Sequence, residues 1–285
     1  MNISGVSDGT ARPVADWTEG LRPRVLSALV LIAVAVVALE AGALAFDVVV
    51  AFGAAVLAWE WTRLCGGGRF GWTGFVQAVA VVAVVTAAWL ISPLAGLALI
   101  FAGVLSDYIA ARISHRVHPR WIAAGIAYIG LPCVALVWLR GTELDGQGII
   151  WWLFLTVWAT DTGAYFVGRA VGGPRLAPRI SPKKTWAGLA GGIACAAIIG
   201  AVVAAIDDRA PPAATLALGS AITAVIAQGG DLAKSVVKRR FGVKDASQLI
   251  PGHGGLLDRV DGVMSAALAL AVWQWATGGA LLAWK

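Results

Sequence analysis

The residues that could do chemistry concentrate in three polar segments in the second half of an otherwise apolar chain. The longest, KRRFGVKDASQLIPGHGGLLDRVDG, covers residues 238–262. Asp258 and Asp261 lie three residues apart in it, so on a helix both carboxylates face one way. Hard oxygen ligands without a cysteine favour Mg²⁺ or Mn²⁺ over zinc. This segment therefore predicts part of a magnesium site.

The second segment is GGDLAKSVVKRR, residues 229–240. Asp231, Ser235 and Lys238 occupy positions i, i+4 and i+7, which form one polar stripe on a helix. A carboxylate, a hydroxyl and a cation in line suit a metal–phosphate site, and Asp231 is expected to share a cation with Asp258 and Asp261.

An alternative interpretation of this segment is a helix end whose lysines extend to the membrane interface. That interpretation accounts for Lys234 and Arg240. It does not account for Asp231, which lies deeper in the predicted span.

The third segment, residues 161–188, contains SPKKTW. This stretch is typical of a helix start, with Ser181 as the cap and Pro182 in the first turn. Lys183 and Lys184 oppose the helix dipole there, so they predict a bound anion such as phosphate. The alternative is a basic loop that only follows the topology rule.

The loop PGHGG contains His253 between glycines whose backbone can approach a ligand closely. His253 could donate a hydrogen bond to a phosphate oxygen. From spacing alone, however, a lone loop histidine is more often incidental.

The elements that must position these residues are apolar helices. The chain of 285 residues is 59% hydrophobic and 13% charged, with a mean hydropathy of +0.80. Apolar runs of about 18 or more residues recur, each long enough to cross a bilayer, and they do not alternate as barrel strands do. An all-α polytopic membrane protein with about nine transmembrane helices is predicted. The expected spans are 25–39, 44–62, 74–91, 94–112, 121–139, 149–168, 186–206, 213–233 and 261–282.

The distribution of basic residues predicts the orientation of these spans. With the N-terminus in the cytoplasm, 19 of the 22 lysines and arginines fall on the inner side. Only Arg140, Arg209 and Lys285 fall outside. The sequence therefore predicts a cytoplasmic N-terminus, an external C-terminus and an active site that faces the cytoplasm.

Three regions are expected: a cytoplasmic tail at 1–24, scaffold helices at 25–140 and a catalytic region at 141–285. The run that ends in AGALA imitates a cleavage site, but more than 20 polar residues precede it, so an uncleaved first helix is expected. The lone cysteines, Cys65, Cys133 and Cys195, predict neither a disulfide nor a zinc site.

Acids within or at the ends of spans are candidates for functional sites, because an unpaired carboxylate at membrane depth is costly. Asp161 is one such acid, and Tyr165 lies four residues after it, so the two share a helix face. For Glu60 a structural pairing with Arg63, one turn on, is favoured. Asp107 is similarly expected to pair with Arg112 or to lie at a helix end.

The stretch SVVKRRFGVKDASQLIPGHGGLLDRVDG resembles the signature of the phosphatidate cytidylyltransferases, also called CDP-diacylglycerol synthases. The resemblance covers about residues 155–265. The SPKKTW run and the D-x-x-A-Y-x-x-G run from Asp161 also look like elements of that family. The signature positions are filled by Ser235, Lys238, Arg239, Lys244, Asp245, Ser247, Ile250, Pro251, His253, Gly254, Gly255, Asp258, Arg259 and Asp261.

The resemblance implies that CTP and phosphatidic acid give CDP-diacylglycerol and pyrophosphate, with Mg²⁺ required and the number of cations left open. It implies metal binding by Asp231 and Asp258, with Asp261 close by. It also implies a homodimer. Separately, the compact chain without a targeting peptide favours a bacterial plasma membrane, with membrane lipids and no nucleic acid as expected partners. The family commonly has Glu after the Trp of this run, where this chain has Ala187, so a carboxylate role there is in doubt.

Together these arguments assign candidate roles. The expected catalytic residues are Asp231, Asp258, Asp261, Lys238 and His253. The expected substrate-binding residues are Ser235, Arg239, Lys244, Asp245, Lys183, Lys184, Arg259 and Ser181.

Two other functions remain open from the sequence. A CTP-dependent polyprenol or phytol kinase would use similar chemistry on a hydroxyl group. An ion-coupled secondary transporter would use Asp161 and Asp231 at broken helices. No GxxxxGK[ST] motif is present, so an ATP-hydrolysing pump is disfavoured.

Overall fold

The computed structural model describes residues 17–142, 146–252 and 254–278, with side chains described from residue 25 onward. Nine α-helices and one β-hairpin form within these residues. The helices are α1 Trp17–Glu40, α2 Ala43–Cys65, α3 Gly71–Leu90, α4 Pro93–Ile113, α5 Pro119–Arg140, α6 Gly146–Val171, α7 Trp186–Ile206, α8 Ala213–Arg240 and α9 Leu257–Ala276. The strands are β1 Arg175–Ala177 and β2 Ser181–Thr185.

The helical membrane architecture is confirmed in its main features. Each predicted span lies on one described helix, except that the last prediction extends beyond residue 278. By length and composition, six of the described helices can cross a membrane: α2, α3, α4, α5, α7 and α8. The α1, α6 and α9 helices fall outside that set, and α6 and α9 carry the acids Asp161, Asp258 and Asp261.

The predicted helix start at SPKKTW is wrong. Residues 181–185 form β2, which pairs antiparallel with β1, and α7 begins only at Trp186. Thr185 is the cap, because its extended backbone places its hydroxyl to accept the N–H of Gly188 at 3.0 Å. Ser181 therefore does not cap a helix. The fold is helical with one small hairpin.

The helix α9 connects two hydrophobic cores. Leu257 and Met264 pack in a core built mainly from α2, α3, α4 and α5. Ala266, Ala267 and Leu270 pack in a second core with α5, α6 and α8. The polar segment before α9 is thus held between both halves of the chain.

Candidate active site

The centre of the site is the ammonium group of Lys234, whose side chain is only 2% exposed. Its Nζ atom lies 3.2 Å from Oδ1 of Asp258 and 3.7 Å from Oδ1 of Asp231. It also contacts Oδ2 of Asp261. Three aspartates that the sequence places in two segments therefore converge on one lysine.

The local structure of α8 and α9 explains this convergence. Asp231 and Lys234 are one turn apart on α8, and Asp258 and Asp261 are one turn apart at the start of α9. The two helices approach closely where Gly230 faces Ser265, since a Cβ atom at Gly230 would overlap the serine side chain. Buried charges are tolerated only when they are paired, so the lysine and the aspartates stabilise one another.

Asp258 joins this cluster to the preceding loop. Its Oδ1 atom accepts a hydrogen bond from Lys238 at 2.7 Å. Its Oδ2 atom accepts from the backbone N–H groups of Ala246 at 2.9 Å and Gly255 at 3.3 Å. Lys238 and Asp258, both predicted catalytic residues, are therefore in direct contact.

The hairpin contributes Lys184. Its Nζ atom lies 2.6 Å from Oδ2 of Asp231 and donates to Oε1 of Gln228 at 2.7 Å. Gln228 in turn donates to Oδ1 of Asp161 on α6 at 3.3 Å. The network thus extends from α9 to α6. Asp231 has a side chain that is 35% exposed, which makes it the most accessible of the three cluster aspartates.

Glu60 of α2 binds the start of α9, and the expected pair with Arg63 is wrong. Its Oε1 and Oε2 atoms accept the N–H groups of Leu256 at 2.8 Å and Leu257 at 2.6 Å, and Oε1 also accepts the hydroxyl of Ser247 at 2.5 Å. Leucine at the N-cap position cannot satisfy these donors itself, so a remote carboxylate does so.

Arg63 binds elsewhere. Its guanidinium lies 4.8 Å from the ring centre of Trp59, and Nε donates to the backbone oxygen of Gly68. The i+3 spacing alone could not reveal this difference, because the competing partners of Glu60 are almost 200 residues away in sequence.

The three glycines of the PGHGG loop are required for different structural reasons. Gly252 and Gly254 have φ values of 75° and 81°, a region that favours glycine. Gly255 has no room for a side chain, because a Cβ atom would lie 2.7 Å from Oε1 of Glu60. The loop closes through paired backbone hydrogen bonds between Ile250 and Gly254. His253 lies outside the described residues.

Asp107 of α4 differs from its expected pairing. Its side chain is fully buried, and neither carboxylate oxygen has a hydrogen-bond partner among the described residues. Because both oxygens lack a partner, the predicted pair of Asp107 with Arg112 does not form.

The other predicted substrate residues lie around the cluster in different environments. Arg239 donates to the backbone oxygens of Ile180 at 3.2 Å and Val243 at 3.0 Å, which ties α8 to the hairpin. Ser235 is buried, at 7% exposure, one turn from Asp231. Ser181 is half-buried in β2. The remaining ones have exposed side chains: Lys183, Lys244, Asp245 and Arg259.

The predicted metal ligands are Asp231, Asp258 and Asp261. In the described parts of the chain, no three His, Cys, Asp or Glu side chains are arranged as a metal site. The carboxylates of Asp231, Asp258 and Asp261 surround the ammonium of Lys234 instead. Their oxygen atoms are the donors that Mg²⁺ prefers, so the chemistry of the donor set fits while a lysine occupies the centre.

Sequence reasoning missed three residues that complete the network. Lys234 enters only through the alternative interpretation, as a lysine that extends to the membrane interface, although its position three residues after Asp231 is an available signal. Gln228 lies three residues before Asp231 and gave a similar signal. Glu60 gave none beyond its location at membrane depth, because its partners are distant backbone groups.

Comparisons with known proteins identify the family of this chain. The sequence model of the cytidylyltransferase family matches residues 22–276, and the chain therefore belongs to that family. A protein of Pseudomonas aeruginosa named phosphatidate cytidylyltransferase is 38% identical over 275 residues, which are 90% of this chain and 98% of that relative.

Two further relatives with the same name match shorter stretches. The protein of Brucella suis is 50% identical over 150 residues, which are 53% of this chain and 55% of the relative. That of Staphylococcus haemolyticus is 42% identical over 139 residues, 49% of this chain and 52% of the relative. The chain thus spans about half the length of these two relatives.

The first testable prediction concerns the lysine at the centre. Lys234→Met should lower the free energy of unfolding by about 3–5 kcal/mol, because it leaves buried carboxylates without their cation. Thermal or denaturant unfolding of the purified protein in detergent measures this. Adding Asp261→Asn should recover part of the loss, whereas an additive effect of the two substitutions would contradict the direct pairing of Lys234 with Asp261.

The second prediction concerns Glu60. Glu60→Ala leaves the N–H groups of Leu256 and Leu257 without an acceptor, which costs about 1–3 kcal/mol per buried donor. Hydrogen exchange at these two amides should accelerate strongly. Arg63→Ala, which removes the partner expected from sequence, should leave their exchange unchanged. Equal protection in the wild type and Glu60→Ala would show that the carboxylate does not cap α9.

Proposed function

We propose that this protein transfers the cytidylyl group of CTP to phosphatidic acid, giving CDP-diacylglycerol and pyrophosphate for phospholipid synthesis. The observation that carries the proposal is the cluster of Asp231, Asp258 and Asp261 around Lys234, flanked by Lys184 and Lys238. It lies within the matched family region, and a relative that matches 90% of this chain carries the corresponding name.

The chemistry is a displacement at phosphorus. A phosphate oxygen of phosphatidic acid forms a bond to the α-phosphorus of CTP, the bond from that phosphorus to the bridging oxygen breaks, and pyrophosphate leaves with the electron pair. The attacking oxygen is already anionic, so no strong general base is required. Positioning of the substrates and neutralisation of their charge account for the catalysis.

The chain's own residues supply that charge. Lys184 and Lys238, each bound to one aspartate, would neutralise phosphate oxygens as the substrates enter. Arg239, Lys244, Lys183 and Arg259 would add charge around the entrance, and His253 would orient a phosphate.

The remaining substrate-binding assignments have narrower proposed roles. Ser181 and Ser235 would offer hydroxyl groups to phosphate oxygens. Asp245, next to Ala246 in the loop held by Asp258, would fix the position of Lys244.

We further propose that the enzyme depends on Mg²⁺. Asp231 and Asp258 would hold it, with Asp261 as ligand or supporting partner, and a second cation is compatible with the same carboxylates. When bound, Mg²⁺ supplies positive charge for the triphosphate. The support for this proposal is the oxygen-only donor set, with Asp231 partly exposed.

The reaction test uses purified protein in detergent, phosphatidic acid and radiolabelled CTP. Label should enter the lipid phase with Mg²⁺ and not with EDTA. Asp258→Asn should reduce the rate about a hundredfold or more, while Asp208→Asn on a distant loop serves as the matched control. The CTP in this reaction is labelled in its α-phosphate. In a parallel reaction with CTP labelled in its γ-phosphate and a polyprenol as acceptor, a labelled phospho-alcohol would identify a lipid kinase. Transport without CTP would identify a carrier. Near-normal turnover of folded Asp258→Asn would refute the assignment of that residue.

The placement of the protein is also a proposal: nine spans in a bacterial inner membrane, an inner N-terminus, an outer C-terminus, a tail at 1–24, a scaffold at 25–140, a catalytic region at 141–285, and a homodimer. In a cysteine-free background, Asp208→Cys should react with an impermeant maleimide on intact cells. Arg179→Cys should react only after permeabilisation. The reverse pattern would show that the topology is the opposite of the one proposed.

The homodimer has its own test. Two differently tagged copies that fail to co-purify would argue against it.

A further inference from the structure

An apolar groove runs along α9 between α5 and α8. Its volume is about 950 Å³, within the range of small-molecule sites. The walls include Leu131 of α5, Ile222 of α8, and Leu268 and Val272 of α9. The proposed polar chemistry does not use this groove.

The inner end of the groove adjoins the charged cluster. Ser265 lines the groove, and its hydroxyl donates to the backbone oxygen of Asp261 at 2.8 Å. Asp261 is one turn earlier on the same helix and contacts Lys234. The groove and the phosphate-binding residues are therefore continuous along one face of α9.

The length of the groove matches one leaflet of a membrane. From Met264 to Ala276 it follows α9 for about 18 Å along the helix axis. The hydrocarbon core of a bilayer is about 30 Å thick, so half of it is similar to this distance. A linear chain attached to a group at Asp261 could lie along the groove and end near the bilayer centre.

The chemistry of the walls also selects an apolar occupant. The indole N–H of Trp61 is satisfied by the backbone oxygen of Trp121 at 2.7 Å. A polar ligand would lose its hydration there with few hydrogen-bond partners in return. Ile222, Val272 and Trp273 are 42%, 57% and 44% exposed, so the groove opens on the outer surface of the helix bundle.

We propose that this groove binds an acyl chain of the phosphatidic acid substrate, with the headgroup at the aspartate–lysine cluster. The inference rests on the proposed function and deepens it. The phosphate of the lipid reaches Lys238 while one chain stays in the groove. Chain length, as well as headgroup chemistry, then contributes to substrate selection.

The test fills the groove. Ala269 lines it with a small, half-buried side chain, and Ala269→Trp would occupy the space of several methylenes. Kinetics are measured in detergent with dioleoyl and with dihexanoyl phosphatidic acid. The kcat/KM for the dioleoyl substrate divided by that for the dihexanoyl substrate should be about tenfold lower in Ala269→Trp than in the wild type. Ala194→Trp, on the exposed face of α7, is the matched control and should keep the wild-type ratio.

The outcomes separate the two proposals. Absence of CDP-lipid from the wild type with either substrate would refute the proposed function. Normal activity of the wild type with an unchanged ratio in Ala269→Trp would overturn the groove assignment alone. The ratio compares two substrates on one protein, so partial loss of folded enzyme does not alter it.

A second measurement does not depend on a variant. Wild-type protein in nanodiscs is irradiated with phosphatidic acid that carries a diazirine in its acyl chain, and the adducts are mapped by mass spectrometry. Adducts should concentrate on the groove walls of α5 and α9. Equal labelling by phosphatidylcholine with the same chain would mean that bulk lipid fills the groove, and disulfide formation between two copies of Val272→Cys would mean that a second protomer covers it. Either result would overturn the proposal.

Discussion

The need to neutralise one buried lysine governs the packing of α8 and α9 in the second half of this protein. Lys234 is almost fully buried, and an isolated ammonium in that position would cost several kcal/mol. Asp231, Asp258 and Asp261 supply the neutralising charge from two helices. Because α8 and α9 must present these groups to one point, their register and close approach at Gly230 are fixed by the same constraint.

The charges also determine how the loop before α9 is held. Asp258 uses one oxygen for lysines and the other for backbone N–H groups of the loop. Glu60 of α2 accepts the N–H groups of Leu256 and Leu257, which follow this loop. The described part of this loop contains no helix or strand, yet the carboxylates of Asp258 and Glu60 fix its path. Its glycines then follow from backbone angle at two positions and from lack of space at a third.

Much of this arrangement could be predicted from sequence because it depends on local periodicity. Long apolar runs predicted the nine helices of the described residues. The i, i+3 spacing predicted that Asp258 and Asp261 face one way, and both contact Lys234. The predictions that were wrong concern competition between partners. SPKKTW has the composition of a helix start, but pairing with β1 and the hydroxyl of Thr185 move the start to Trp186. Lys234 has a long, flexible side chain, and spacing alone does not show whether such a side chain extends outward or is buried among acids.

The bond between Glu60 and α9 has a consequence for how the chain is made. Its donors follow it by 196 and 197 residues. At ribosomal rates of about 5–20 residues per second, α2 exists for roughly 10–40 s before Leu256 and Leu257 are synthesised. Throughout that time the carboxylate of Glu60 lacks its final partners. The α2 helix therefore makes these contacts only after the start of α9 has been synthesised, long after α2 itself is made.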